Sequence, residues 1–143
     1  MTQGLYIAEV QGKETFTKPG ITEDIASRIG GYSKGGNIVT IKFLCIARTG
    51  LDGQIRTLEE DGKLYFKKYF SKFNGYNRTE YISIKETGIT VDVLEKYYRA
   101  KIALNPAIYI VKKEHLPLTR ESNNLKDFMK NALKYPEKYI EGF

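Results

Sequence analysis

Glu59 is the residue whose type least suits its position. Between Leu51 and Phe73, Ile55, Leu58, Phe66, Tyr69, Phe70 and Phe73 recur at three- and four-residue steps. At 100° per residue, Glu59 points between Ile55 and Phe66, whereas Glu60 points away. An inward carboxylate either pairs with a lysine one turn on, here Lys63, or serves as a metal ligand or acid–base group. Arg28 lies six residues after Thr22, between Ile25 and Ile29. Its guanidinium can reach across the face of the preceding hairpin and grip a phosphate through two bonds, or merely complement a helix C-terminus. Tyr6 sits in an alternating segment, where a strand tyrosine buries its ring and satisfies its hydroxyl at the edge.

Other chemistries are excluded by what the chain lacks. His115 is the only histidine, and Cys45, the only cysteine, lies in the apolar run Ile41-Lys42-Phe43-Leu44-Cys45-Ile46. Neither a zinc site nor a disulfide can be built from these, and a thiol so placed is a small buried hydrophobe. No Gly-x-Ser-x-Gly elbow occurs, and Gly30-Gly31 and Gly35-Gly36 lack the Gly-Lys-Ser/Thr ending of a phosphate loop, so no nucleotide cofactor is expected. Lysine and arginine number 23 against 17 aspartates and glutamates, a net charge of +6, which favours a polyanionic partner.

These side chains need a scaffold, and 143 residues of which 41% are hydrophobic suffice for one domain with its own core. Gly4 to Val10 alternates as a strand, Gly12-Lys13 turns it, and Thr15 to Lys18 returns, with Pro19-Gly20 predicted to end the second strand. Thr22 is placed to cap a short helix with Ile25 and Ile29 inward, stopped by Gly30-Gly31. Asn37 to Ala47 reads as a central strand, with Val39, Ile41, Phe43 and Cys45 on one face and Ile38, Leu44 and Ile46 on the other. The periodicity predicts a helix from Leu51 to Phe73 closed by Asn74-Gly75, a strand over Tyr81 to Ile84, and a helix from Val91 to about Ile102 capped by Thr90. A strand over Ala107 to Val111, a helix over Asn124 to Tyr135 and a loose tail after Pro136 follow. The expected fold is α/β (α+β): a small mixed or antiparallel sheet of about three to five strands flanked by helices. No stretch approaches the roughly 18 apolar residues of a membrane span and no signal-peptide pattern opens the chain, so a cytoplasmic protein without membrane partners is expected.

The order of these parts resembles the GIY-YIG nuclease superfamily over roughly Gly4 to Ile84. Gly4-Leu5-Tyr6 is similar to the first tripeptide, and Lys18-Pro19-Gly20 to the second with lysine replacing tyrosine. Lysine followed by Gly20-Ile21-Thr22 resembles branches of the family in phage and bacterial proteins. Arg28 matches the arginine of the following helix, Tyr32 a position where many members carry histidine or tyrosine, and Glu59 the carboxylate of a later helix. Asn77-Arg78-Thr79-Glu80-Tyr81 resembles the closing strand of that branch, with Glu80 as an alternative carboxylate.

The resemblance implies a DNA endonuclease hydrolysing phosphodiester bonds with Mg²⁺ or Mn²⁺ held by Glu59. It implies that Tyr6 orients or deprotonates water, that Arg28 stabilises charge on the phosphate, and that Lys18 or Tyr32 assists. Double-stranded DNA would meet a basic surface of Lys34, Arg48, Lys67, Lys68, Lys72 and Arg78. Residues 1–104 would form the nuclease domain and 105–143 a strand–helix extension packed on it. The rival is a catalytically weak member of the same fold that binds nucleic acid or a partner protein.

Overall fold

The computed structural model describes residues 2–72 and 79–143, and of Lys72 and Thr79 the backbone alone. Strands β1 (Gly4–Gln11) and β2 (Thr15–Thr22) form the expected hairpin, in the register Tyr6 opposite Gly20 and Ala8 opposite Lys18. β2 does not stop at Pro19-Gly20; Pro19 lies opposite Ile7 inside the strand. On its other edge β2 pairs with β5 (Thr79–Ser83) at Phe16 and Thr17. Pro19 has no N–H to extend that ladder, and its carbonyl accepts a 2.7 Å bond from Lys18 Nζ. Among the described residues β2 has no strand partner on this side from Lys18 onward.

Helix α1 (Ile25–Tyr32) is capped by Asp24 rather than Thr22; the Asp24 carboxylate accepts from the Ser27 N–H, and the Thr22 hydroxyl accepts from the Asp24 N–H at 2.9 Å. The helix continues through Gly30-Gly31, because the Ser33 N–H and hydroxyl both donate to the Ile29 carbonyl, which holds the last turn closed. That extra turn places Tyr32 on the helix.

Strand β3 (Ile38–Ala47) is central, but its two faces are not those of simple alternation. Ile7 lies opposite Phe43 and Ala8 opposite Ile41, so Lys42 is an extra residue, a β-bulge. Beyond it the phase reverses: Val39 and Ile41 share a core with Leu44 and Ile46, while Phe43, Cys45 and Ala47 face the other way and Ile38 is exposed. Helix α2 (Gly53–Tyr65) is shorter than its periodicity predicts; a 3₁₀ turn over Lys67–Tyr69 follows, then β4 (Phe70–Lys72). Phe70 pairs with Ile82 and Ser71 with Tyr81, so sheet pairing overrides the helical reading of this apolar run. The predicted stop at Asn74-Gly75 lies outside the described residues.

Helices α3 (Ile84–Thr87) and α4 (Val91–Ile102), strand β6 (Ile108–Ile110), and helices α5 (Phe128–Lys134) and α6 (Pro136–Tyr139) complete the chain. The described residues give six strands, one more than the expected upper number, in the order β4-β5-β2-β1-β3-β6, with every pairing antiparallel. One face of the sheet packs Tyr6, Ala8, Ile41 and Leu44 against Ile25 and Ile29 of α1 and Phe128 and Met129 of α5. The other packs Leu5, Ile7 and Phe43 against Ile55 and Leu58 of α2 and Leu94 and Tyr98 of α4. This is one mixed α/β domain. Among the described residues no helix is long and apolar enough to cross a membrane.

The end of the chain is docked rather than loose. Ile140 is buried and bridges Val111, and the Arg99 guanidinium grips the Glu141 carboxylate with two 2.8 Å bonds while its Nε reaches Glu95 at 2.8 Å. Arg99→Ala is expected to cost about 1–3 kcal/mol in urea unfolding, since it strips one of two cations from the buried Glu95 carboxylate, leaving Lys113. The bond to Arg99 also holds the Glu141 carboxyl below its usual range. A depressed carboxyl stabilises the fold above its unfolded pKa of about 4.3, and that contribution fades as the pH falls below it. Glu141→Gln should flatten this acid limb of the stability profile.

Candidate active site

Tyr6, Lys18 and Tyr32 come from three elements and meet beside β2, and the charges of Arg28 and Glu59 reach them there. Tyr6 and Lys18 lie on the sheet face that α1 covers. Tyr6 is 1% exposed, and its ring lies across the bare Cα of Gly20 opposite; a Cβ there would stand 2.6 Å from the Tyr6 Cζ and overlap the hydroxyl. Glycine is thus required at 20 by a close approach, where the sequence suggested only a strand end. The Tyr6 hydroxyl is hydrogen-bonded to that of Tyr32, and the rings sit 6.3 Å apart.

Lys18 is 5% exposed. Its ammonium donates to the Pro19 carbonyl, lies 3.9 Å from the Glu80 carboxylate, and sits 5.8 Å from the Tyr32 ring centre and 5.6 Å from that of Tyr81. Two π-faces, a carbonyl and one carboxylate thus surround a cation removed from water. Burial lowers its pKa to about 8; Lys63 and Arg28 push the same way, and Glu80 and Glu59 oppose. Glu80 is therefore occupied as a partner of Lys18. Tyr81 is a site residue that sequence reasoning missed; its two-residue spacing from Ser83 and Thr79 marks it as a strand residue, but only the fold brings β5 beside Lys18.

Both phenols are held protonated. Burial raises the Tyr6 pKa far above the ordinary tyrosine range, the neighbouring Tyr32 adds to this, and Arg28 works against it. Burial raises Tyr32 too, opposed by its bond to Tyr6 and by Arg28. Arg28 itself is exposed on α1, with its charge bearing on Tyr6, Tyr32 and Lys18. It is the cation of the group most free to meet a ligand.

Glu59 does pair with Lys63, 3.7 Å away and one turn on, as the plainer reading of the sequence anticipates. The Glu59 side chain is 14% exposed and that of Lys63 50%, so water reaches the pair from its lysine end. Among the described residues no three of His, Cys, Asp and Glu cluster to hold a metal. A site of one carboxylate suits only a hard ion that keeps most of its water, which describes Mg²⁺.

Comparison with protein-family models, curated proteins and solved structures gives no match to this chain. The geometry of the group therefore carries the functional argument. The basic surface is divided around it. Lys67 and Lys68 are exposed in the turn leading to β4, and Lys34 is exposed two residues past Tyr32. Arg48 stands beyond β1 and β3, its guanidinium 5.7 Å over the Tyr109 ring of β6, and is not part of the group. Arg78 and the side chain of Lys72 lie outside the described residues. His115 stacks on Tyr139 and bonds the Lys138 carbonyl, and burial pushes the Cys45 thiol up to about 12, so both are structural.

Proposed function

We propose that this protein is a divalent-metal-dependent DNA endonuclease of the GIY-YIG type. The observation that carries the reading is the meeting of Tyr6, Lys18 and Tyr32 beside β2, with the charges of Glu59 and of the exposed Arg28 guanidinium reaching the buried amine. Glu59 would hold Mg²⁺ or Mn²⁺, which when bound supplies charge neutralisation at the phosphate. Arg28 binds the scissile phosphate and stabilises the charge that grows on its oxygens. The Tyr6–Tyr32 hydroxyl pair orients the attacking water. A buried phenol held protonated is a poor base, so the proton passes to the neutral amine of Lys18 as water oxygen bonds to phosphorus. The phosphorus–oxygen bond to the leaving nucleoside breaks, and that oxygen takes a proton from solvent.

The test is nicking of supercoiled plasmid in Mg²⁺ or Mn²⁺ beside a salt-dependent gel shift. Wild type should nick; Glu59→Gln and Arg28→Ala should each be slower by about 10²–10³-fold, with the gel shift retained in Glu59→Gln. Tyr6→Phe keeps the ring over Gly20 and breaks only the hydroxyl pair, so it separates orientation from packing. One feature favours a second reading, a binder that does not cleave: the Tyr6 hydroxyl is buried and already bonded to Tyr32. Wild type that shifts DNA without nicking it would establish that reading and sink the first.

A further inference from the structure

Helix α2 carries a second group on the flank opposite Glu59. Six residues on from Glu59, about 9 Å along the axis, Tyr65 emerges 67% exposed. Its ring stacks on Tyr97 of α4 at 4.7 Å and 29°. Both rings rest edge-on against Phe66, at 4.9 and 5.2 Å, and Phe66 is buried. The Lys101 ammonium lies 5.6 Å from the Tyr97 ring centre, and Lys68 lies 5.1 Å from the ring of Tyr69 just beyond. Leu64, 74% exposed, extends the apolar surface.

A lone exposed leucine needs no explanation. Two tyrosines held in register by a buried phenylalanine are different, because the exposed outer ring is presented with its motion already restricted, and among the described residues its ring contacts are Tyr97 and Phe66 alone. Lys101 over Tyr97 and Lys68 over Tyr69 set two ammonium groups in this cluster against the one carboxylate, Asp61, whose charge reaches Tyr97, and stacked rings with nearby cations match a nucleobase with its flanking phosphates. A duplex keeps its base faces inside the stack, so only an unpaired base can lie on Tyr65. We propose that the Tyr65–Tyr97 stack is a base-stacking platform that binds a single-stranded stretch of nucleic acid. This rests on the nucleic-acid part of the proposed function but not on cleavage.

The chain has no tryptophan, so Tyr65→Trp installs a single indole at an exposed position, excited selectively to the red of the tyrosines. The experiment titrates this variant, wild type, Tyr65→Phe and Tyr65→Ala with a thymidine homopolymer of about 15 nucleotides in EDTA, with plasmid nicking scored separately. The expected result is quenching of the tryptophan on binding, retained affinity in the aromatic variants, and about five- to a hundredfold weaker binding in Tyr65→Ala. Equal affinity for Tyr65→Ala, or binding without quenching, overturns the platform. Quenching that instead grows with protein concentration in the absence of oligonucleotide assigns the surface to a second copy of the chain and also overturns it. Wild type that binds through Tyr65 but does not nick plasmid removes the nuclease reading and leaves the platform standing; nicking with no effect of Tyr65 does the reverse.

Discussion

Lys18→Met is expected to yield a protein more stable than wild type at pH 7 and slower in cleavage by at least about a hundredfold. The stability half follows from burial. An ordinary lysine titrates near 10.4, and burial has brought this one to about 8. Below pH 8 the native state holds an ammonium that the unfolded chain hydrates freely, a penalty of about 3 kcal/mol at 1.36 kcal/mol per pH unit. Methionine keeps the stem, drops the charge and gives up the bond to the Pro19 carbonyl, worth about 1 kcal/mol, so the net gain is about 1–2 kcal/mol. Glu80, left behind, is 37% exposed and can be hydrated. Between pH 8 and 10.4 the unfolded chain binds a proton that the native chain does not, so wild-type stability climbs with pH and the advantage of the variant shrinks, vanishing above that window. Urea unfolding of both proteins at pH 7 and pH 10 checks the sign. A variant less stable at pH 7 would mean that Glu80 and the two rings hold the ammonium better than water does. The catalytic half is read by nicking: loss in Lys18→Met, together with a wild-type rate that rises toward pH 8, marks the amine as proton acceptor.

The burial of Lys18 that such a trade requires was only partly visible in the sequence. The first hairpin was legible because Gly12-Lys13 divides two alternating segments, and α4 because Leu94 and Tyr98 keep one face; Glu59 stood out because a carboxylate breaks the same kind of stripe. What failed was non-local. Pro19-Gly20 carries turn residues, yet the strand runs through them, since Pro19 has no strand partner among the described residues on its outer edge and Gly20 makes room for Tyr6. A one-residue bulge at Lys42 reverses which face Phe43 and Cys45 present, and alternation has no means of marking it. The run from Phe66 to Phe70 suits a helix and a strand alike until β5 supplies a partner. The burial of Lys18 depends on Tyr32 and Tyr81 arriving from α1 and β5, and no spacing along the chain encodes that meeting.

Gly20→Ala puts the same arrangement under steric test and is expected to have a large effect for a single methyl group. Elsewhere in a strand, alanine for glycine reduces the entropy of the unfolded chain and stabilises by about 0.4–1 kcal/mol. Here the added carbon meets the Tyr6 hydroxyl and Cζ, and Tyr6 cannot yield easily: its ring is buried and its hydroxyl is tied to Tyr32. Overpacking of this kind costs about 1–3 kcal/mol. If Tyr6 swings away, Tyr32 loses its partner, and Tyr32 is one of the two rings over Lys18, so nicking should fall by about a hundredfold or more along with stability. Gly31→Ala is the control, because a Cβ at that helical glycine meets nothing within 4 Å and should stabilise the protein by about 0.5–1 kcal/mol. A double-mutant cycle completes the argument. Tyr6→Leu in the Gly20→Ala background should recover part of the lost stability, with a coupling of about 1–2 kcal/mol, and none of the lost cleavage. Additive stabilities would mean that the ring of Tyr6 does not rest on Gly20, and the account of how the hairpin sets up the site would fall with it.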